Sequence, residues 1–133
     1  MNLLLDTHVL LWTQLDTSRL GSGSQFLLTD QESRLYLSTF SVLEISQLVS
    51  CGRLKLNNVT SEWIAGALKA LRCEEIGLSR EVALGAYQLP GTFHRDPADR
   101  ILVSTARVHG LTLVTADRRI LRYRGVKTLD IWK

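Results

Sequence analysis

The sequence predicts an α/β domain with a mainly parallel sheet covered by helices on both faces. Two observations carry this. Short apolar runs alternate several times with stretches of helical character, and that alternation implies crossover connections between parallel strands. One run, Leu3-Leu4-Leu5, is continuously apolar, as a strand buried on both faces is. The 133 residues are 45% apolar and 22% charged, a composition expected of one folded domain over 1–133. It excludes a disordered tail, a collagen-like fibre and a disulfide-stapled miniprotein. No apolar run approaches the roughly 18 residues a membrane helix needs, so no membrane partner is expected.

Taken in order, Leu3-Leu4-Leu5 opens the sheet and a helix follows from Thr7 to about Leu15. Gly21-Ser22-Gly23-Ser24 opens a short helix through Phe26, Leu27 and Leu28. Leu35 to Ser38 reads as the next strand, and Ser41 as the cap of a helix reaching Cys51, with Gly52 as its stop signal. Thr60 or Ser61 starts a helix with Trp63, Ile64, Ala67, Leu68 and Leu71 on one face. Glu74 to Leu78 is a weaker strand, Ser79 to Tyr87 a further helix, and Pro90-Gly91 breaks the chain. Asp96-Pro97 starts a strong helix that ends at His109-Gly110, where His109 suits the helix C-terminus. On it, Ala98, Ile101, Leu102 and Thr105 are expected to face the sheet, with Arg100, Ser104 and Arg107 as a polar stripe. Leu111 to Thr115 is a clear strand. A short basic helix and a last strand near Val126 to Leu129 finish the chain.

The cysteines, Cys51 and Cys73, stand in no CxxC or zinc spacing. The start, Met1-Asn2-Leu3-Leu4-Leu5-Asp6, has no basic lead-in and meets an acid at once, unlike a signal peptide. Two reduced thiols in a cytoplasmic protein are expected. The formal charge is +3, unevenly spread. Residues 91–133 hold nine Lys and Arg against four acids, a net +5, while residues 1–90 carry −2. Basic excess beside a few acids suits a polyanionic substrate near a metal site, or equally a solvated basic face.

The acids fall in a pattern. Asp6 follows the first strand and Asp117 follows Leu113-Val114-Thr115-Ala116. Each also suits a helix cap. Asp96 and Asp99 open the strong helix, a good start with Pro97 at its first position. Glu44 lies at the margin of the apolar stripe of Val42, Ile45, Leu48 and Val49; a metal, an Arg partner or solvent would each relieve its burial. Each acid has an ordinary explanation, but together they are expected on one rim. In a parallel sheet, strand ends and helix starts converge at the ligand-binding edge. Three to five carboxylates there repel one another and raise their pKa values unless a cation is present. Oxygen-only ligation suits Mg²⁺ or Mn²⁺.

Leu4-Leu5-Asp6-Thr7-His8, Ser41 to Ile45, His94 to Arg100 and Leu113 to Asp117, in that order and spacing, resemble the PIN-domain family, and within it the VapC-type toxin ribonucleases of toxin–antitoxin pairs. The resemblance implies a three-layer α/β/α fold with a four- or five-stranded, mainly parallel sheet. It matches Asp6 and Asp99 to core metal ligands, Glu44 to the helix acid that completes the site, and Asp117 to a fourth acid. Asp96 matches an extra acid whose role stays open between ligand and helix cap. Thr7 and Thr115 match hydroxyls that hold the site. The implied activity is Mg²⁺- or Mn²⁺-dependent hydrolysis of RNA to 5′-phosphate and 3′-hydroxyl ends, in a homodimer paired with a cognate antitoxin. Arg95, Arg100, Arg118 and Arg119 are candidates to hold flanking phosphates. Trp12 and Leu11 line an antitoxin groove or, as aromatics at helical spacing usually do, belong to the core. His8 and His94 flank acids and stay outside the catalytic set.

Two rival classes share parts of this pattern. An aspartyl-phosphate enzyme or receiver domain using Asp6 wants a second acid beside it and a Lys after a late strand; here Thr7-His8 follow, and Lys127 lies beyond the last helix. A non-catalytic RNA-binding or scaffold protein with the same fold stays open. Gly21-Ser22-Gly23 follows no strand and lacks a third glycine, which excludes a dinucleotide site.

Overall fold

The computed structural model describes residues 1–133. The elements run β1 (Asn2–Leu5), α1 (Thr7–Leu15), α2 (Ser22–Thr29), β2 (Arg34–Ser38), α3 (Thr39–Ser50), α4 (Thr60–Leu71) and β3 (Cys73–Ile76). Then come α5 (Arg80–Gly85), α6 (Pro97–His109), β4 (Thr112–Thr115), α7 (Arg118–Arg122) and β5 (Thr128–Asp130). A single 3₁₀ turn at Thr17–Arg19, which apolar periodicity does not announce, links α1 to α2. No helix is long and apolar enough to cross a membrane.

All five strands pair in parallel, in the order β3-β2-β1-β4-β5. The chain builds outward from β1 through β2 to β3, then returns to place β4 on the other side of β1. The strand order therefore switches between β1 and β4, whose register sets Leu5 opposite Val114. Leu3, Leu4 and Leu5 are completely buried, as a central strand requires. Because side chains alternate across a strand, Leu3 and Leu5 pack under α1, α3 and α4 with Leu10, Ile45 and Ile64. Leu4 points to the other face, against Leu102, Val103 and Ala106 of α6 and Ile120 of α7. These two cores make the three layers.

Three expectations change in detail. Ser38, not Ser41, caps α3: its hydroxyl accepts from the Phe40 amide at 3.1 Å. The helix begins directly at the end of β2, which leaves Ser41 buried inside the first turn. On α6, Ser104 is buried rather than part of a solvent stripe. Helix α5 packs there, and the Ser104 hydroxyl donates to the Val82 carbonyl at 2.7 Å. The last strand lies at Thr128–Asp130, slightly later than expected. The glycines before α2 serve backbone approach. A Cβ at Gly21 would stand 2.3 Å from the Trp132 carbonyl oxygen, where the Gly21 amide donates to Ile131 O and ties the C-terminal segment to α2.

Candidate active site

The switch point gathers the acids. Asp6 follows β1, and its amide donates to Val114 O of β4 at 3.0 Å. Asp117 lies two residues beyond the neighbouring β4. Glu44 comes from α3, directly after β2, and Asp96 and Asp99 from the start of α6. All five line one cleft of about 340 Å³, with His8, Trp12, Ala116 and Arg119.

Two buried hydroxyls aim the acids. Thr115 donates to Asp6 Oδ2 at 2.7 Å and accepts from the Asp117 amide at 3.0 Å, so one side chain fixes both strand-end acids. Thr7 donates to Glu44 Oε1 at 2.6 Å and lies 2.8 Å from the Ser41 hydroxyl. Thr7, Ser41 and Thr115 are all essentially inaccessible to solvent. They therefore hold single rotamers, as positioning groups must.

The electrostatics differ from acid to acid. Burial raises the Asp6 carboxyl above its ordinary range, with Asp117 repulsion adding to the effect and the Thr115 hydrogen bond opposing it. Glu44 is also raised, first by burial and then by Asp6 and Asp96. Asp99 is pushed up to about 7 by burial and by repulsion from Asp96, Asp117 and Asp6. Burial also works upward on Asp117, but the Arg119 amide and side chain and the Ile120 amide outweigh it and hold that carboxyl low. Asp117 caps α7, accepting from the Arg119 amide at 2.8 Å. Asp96 caps α6, accepting from the Ala98 amide at 3.1 Å, and is exposed.

Arg119 is the cation in contact with the acids, and His94 lies beside them. Arg119 lies 3.6 Å from Asp99 and 3.4 Å from Asp117. His94 Nδ1 accepts from the Asp96 amide at 3.4 Å, and its Nε2 lies 3.0 Å from Asp99 Oδ2. That pair misses hydrogen-bond alignment, so Asp99 Oδ2 is buried with no hydrogen-bond donor. As arranged, no three carboxylate, imidazole or thiol groups are drawn in tightly enough to hold one ion. The donor set nevertheless fits a hard divalent cation. It is rich in carboxylate oxygens, and Asp99 has an orphaned oxygen that a cation would satisfy.

The arginines divide. Arg100, expected at a phosphate, is instead spent on the fold. Its guanidinium donates to His94 O at 2.9 Å, Ala86 O at 3.0 Å and Phe93 O at 2.8 Å. Arg118 reaches Asp130 at 3.8 Å. Arg95 is exposed beside the start of α6. Leu11 is core, and Trp12 packs against that core while lining the cleft, its ring tilted between His8 and Trp132. His94 stands outside the catalytic set that the sequence predicts, because a single His rarely signals a site; its signal is its place two residues before Asp96 and five before Asp99.

The PIN domain family model matches residues 3–126. The chain is 31% identical over 129 residues to Ribonuclease VapC22 of Mycobacterium tuberculosis, covering 97% of each. VapBC from Salmonella typhimurium, solved bound to DNA, superposes with a TM-score of 0.68 at 19% identity, covering 100% of this chain and 99% of that one. VapBC2 from Rickettsia felis, bound to a DNA fragment from its promoter, gives 0.68 at 17% identity and 98% coverage of each. At that identity the structures speak for the fold, and the family assignment rests on sequence. The chain belongs to the PIN-domain family, and within it to the VapC type.

Proposed function

We propose that this protein is a Mg²⁺- or Mn²⁺-dependent endoribonuclease, the toxin of a toxin–antitoxin pair, acting in the cytoplasm as a homodimer held in check by a cognate antitoxin. The observation that carries the reading is the meeting of Asp6, Glu44, Asp99 and Asp117 in one cleft at the switch point, with an Asp99 oxygen left without a donor. The relatives support it by their names: one is a ribonuclease, and the solved neighbours include a toxin–antitoxin complex from Klebsiella pneumoniae.

Asp6, Glu44, Asp99 and Asp117 would hold the metal, with Asp96 either a further ligand or only the cap of α6. A divalent ion held there would supply acidification of a water and neutralisation of charge on the phosphoryl group. The chain's own residues do the positioning. Thr115 keeps Asp6 and Asp117 in register, Thr7 aims Glu44, and the α7 amides keep Asp117 ionised. Water as nucleophile, rather than the ribose 2′-hydroxyl, gives 5′-phosphate and 3′-hydroxyl ends.

Turnover of an RNA pool tests each acid. Asp6→Asn and Asp99→Asn should each lose at least about 100-fold in rate while still binding RNA. Asp96→Asn, which removes mainly a cap, should stay within a few fold. Normal cleavage by Asp99→Asn would remove it from the ligand set. RNA binding with no turnover in the parent protein would favour the non-catalytic reading.

A further inference from the structure

A second, larger cavity of about 660 Å³ lies beside the acidic cleft, between the chain around Pro90 to His94 and the stretch from Arg119 to Gly125. Its chemistry is the opposite of its neighbour's. Three arginines, Arg119, Arg122 and Arg124, line it, and no carboxylate does. Arg122 and Arg124 are exposed, and neither pairs with an acid.

The aromatic wall is built rather than incidental. Tyr123 packs 4.8 Å from the Phe93 ring, and its hydroxyl donates to Pro90 O at 2.5 Å. Gly125 lets the ring lie flat against the backbone, since a Cβ there would stand 2.3 Å from the tyrosine ring. The two cavities also communicate. Arg119 and His94 line the larger one and both touch Asp99 of the acidic cleft.

Free guanidinium groups select phosphate. An aromatic ring offers a nucleobase a stacking face without sequence preference. The volume lies in the range of small-ligand sites. We infer that this cavity is a nucleotide subsite: Arg122 and Arg124 hold a backbone phosphate and Tyr123 carries a base, one step along the strand from the bond that is cut. The inference rests on the ribonuclease reading and deepens it. It also accounts for how a polyanion approaches five carboxylates, because the neighbouring cations offset their repulsion.

The test is equilibrium binding of a ten-nucleotide single-stranded RNA of mixed sequence to Asp6→Asn protein, repeated across salt concentrations. Adding Arg122→Gln and Arg124→Gln should weaken binding at least about tenfold and flatten the plot of log affinity against log salt by about 0.7, the value for one phosphate neutralised on a single strand. Both side chains are exposed, so the melting temperature should not move. Adding Tyr123→Leu should weaken binding several-fold with the salt slope unchanged. The control pair Arg53→Gln and Lys55→Gln, exposed beyond the end of α3, should change the slope by less than half as much. Equal effects from the two charge pairs would overturn the subsite alone. No RNA binding by the Asp6→Asn protein, with no cleavage by the parent, would overturn the ribonuclease reading and the subsite with it.

Discussion

Thr115 lies at the centre of the acid cluster, and its single hydroxyl serves Asp6 and the Asp117 amide together. Residues of this kind convert a set of mutually repelling carboxylates into a fixed arrangement. Burial first, and then repulsion from Asp96, Asp117 and Asp6, push the Asp99 carboxyl from 3.8 to about 7. A carboxyl raised by folding stabilises the fold in full below its unfolded value and loses that contribution as pH rises through its folded value. Without divalent metal, the parent protein should therefore lose stability between about pH 4 and pH 7. Asp99→Asn, which cannot ionise, should be more stable than the parent at pH 8 by roughly 2 kcal/mol, less than full linkage because water reaches the cleft. The gain should shrink toward pH 4. Urea unfolding at several pH values with chelator present measures this, and a gain independent of pH would contradict it. The acids themselves are legible in the sequence because each stands beside a strand end or a helix start. Their differing charge states are legible only for Asp117, whose Arg119 and Ile120 contacts are local; the burial and mutual repulsion that raise Asp6, Glu44 and Asp99 are tertiary.

Helix α6 shows how an element can be legible while the partners of its side chains are not. Asp96, Pro97 and Gly110 mark its ends, and the helix spans Pro97–His109 as those signals require. Its polar stripe misleads, because α5 and the chain around residues 86–94 fold back over it. That covers Ser104 and draws Arg100 onto three carbonyls. No periodicity encodes the path of an irregular segment. Arg100 thus holds the loop that delivers His94 to Asp99. Arg100→Ala should destabilise the protein by roughly 2–3 kcal/mol by leaving those carbonyls without their charged donor. Arg100→Lys should recover little, since an ammonium cannot reproduce the planar fork. Chemical denaturation of the two variants measures this, and a loss under about 0.5 kcal/mol for Arg100→Ala would contradict the role. The Ser41 cap misleads for a related reason: Ser38 and Ser41 are both competent caps, and the end of β2 decides between them.

For the whole molecule, the order of strands and helices follows from the sequence, and the strand order β3-β2-β1-β4-β5 adds the switch point. That topology brings residues as distant as Asp6 and Asp117 to one rim, and it places a cationic cavity beside an anionic cleft. A fold that concentrates carboxylates in this way should be stabilised by a divalent cation. Mg²⁺ or Mn²⁺ at a hundred times its dissociation constant should add about 2.7 kcal/mol, read as a rise of several degrees in melting temperature. Asp6→Asn should reduce that rise, and an equal rise in parent and variant would place the ion elsewhere. The central claim is that the acid cleft cuts RNA with a divalent metal. It is tested most directly by incubating purified protein with total cellular RNA in Mg²⁺ or Mn²⁺, in chelator, and as Asp6→Asn, then mapping the new ends. Discrete cuts bearing 5′-phosphates, present only with metal and absent in the variant, are the predicted result. Cuts that persist in chelator, or in Asp6→Asn, would contradict it.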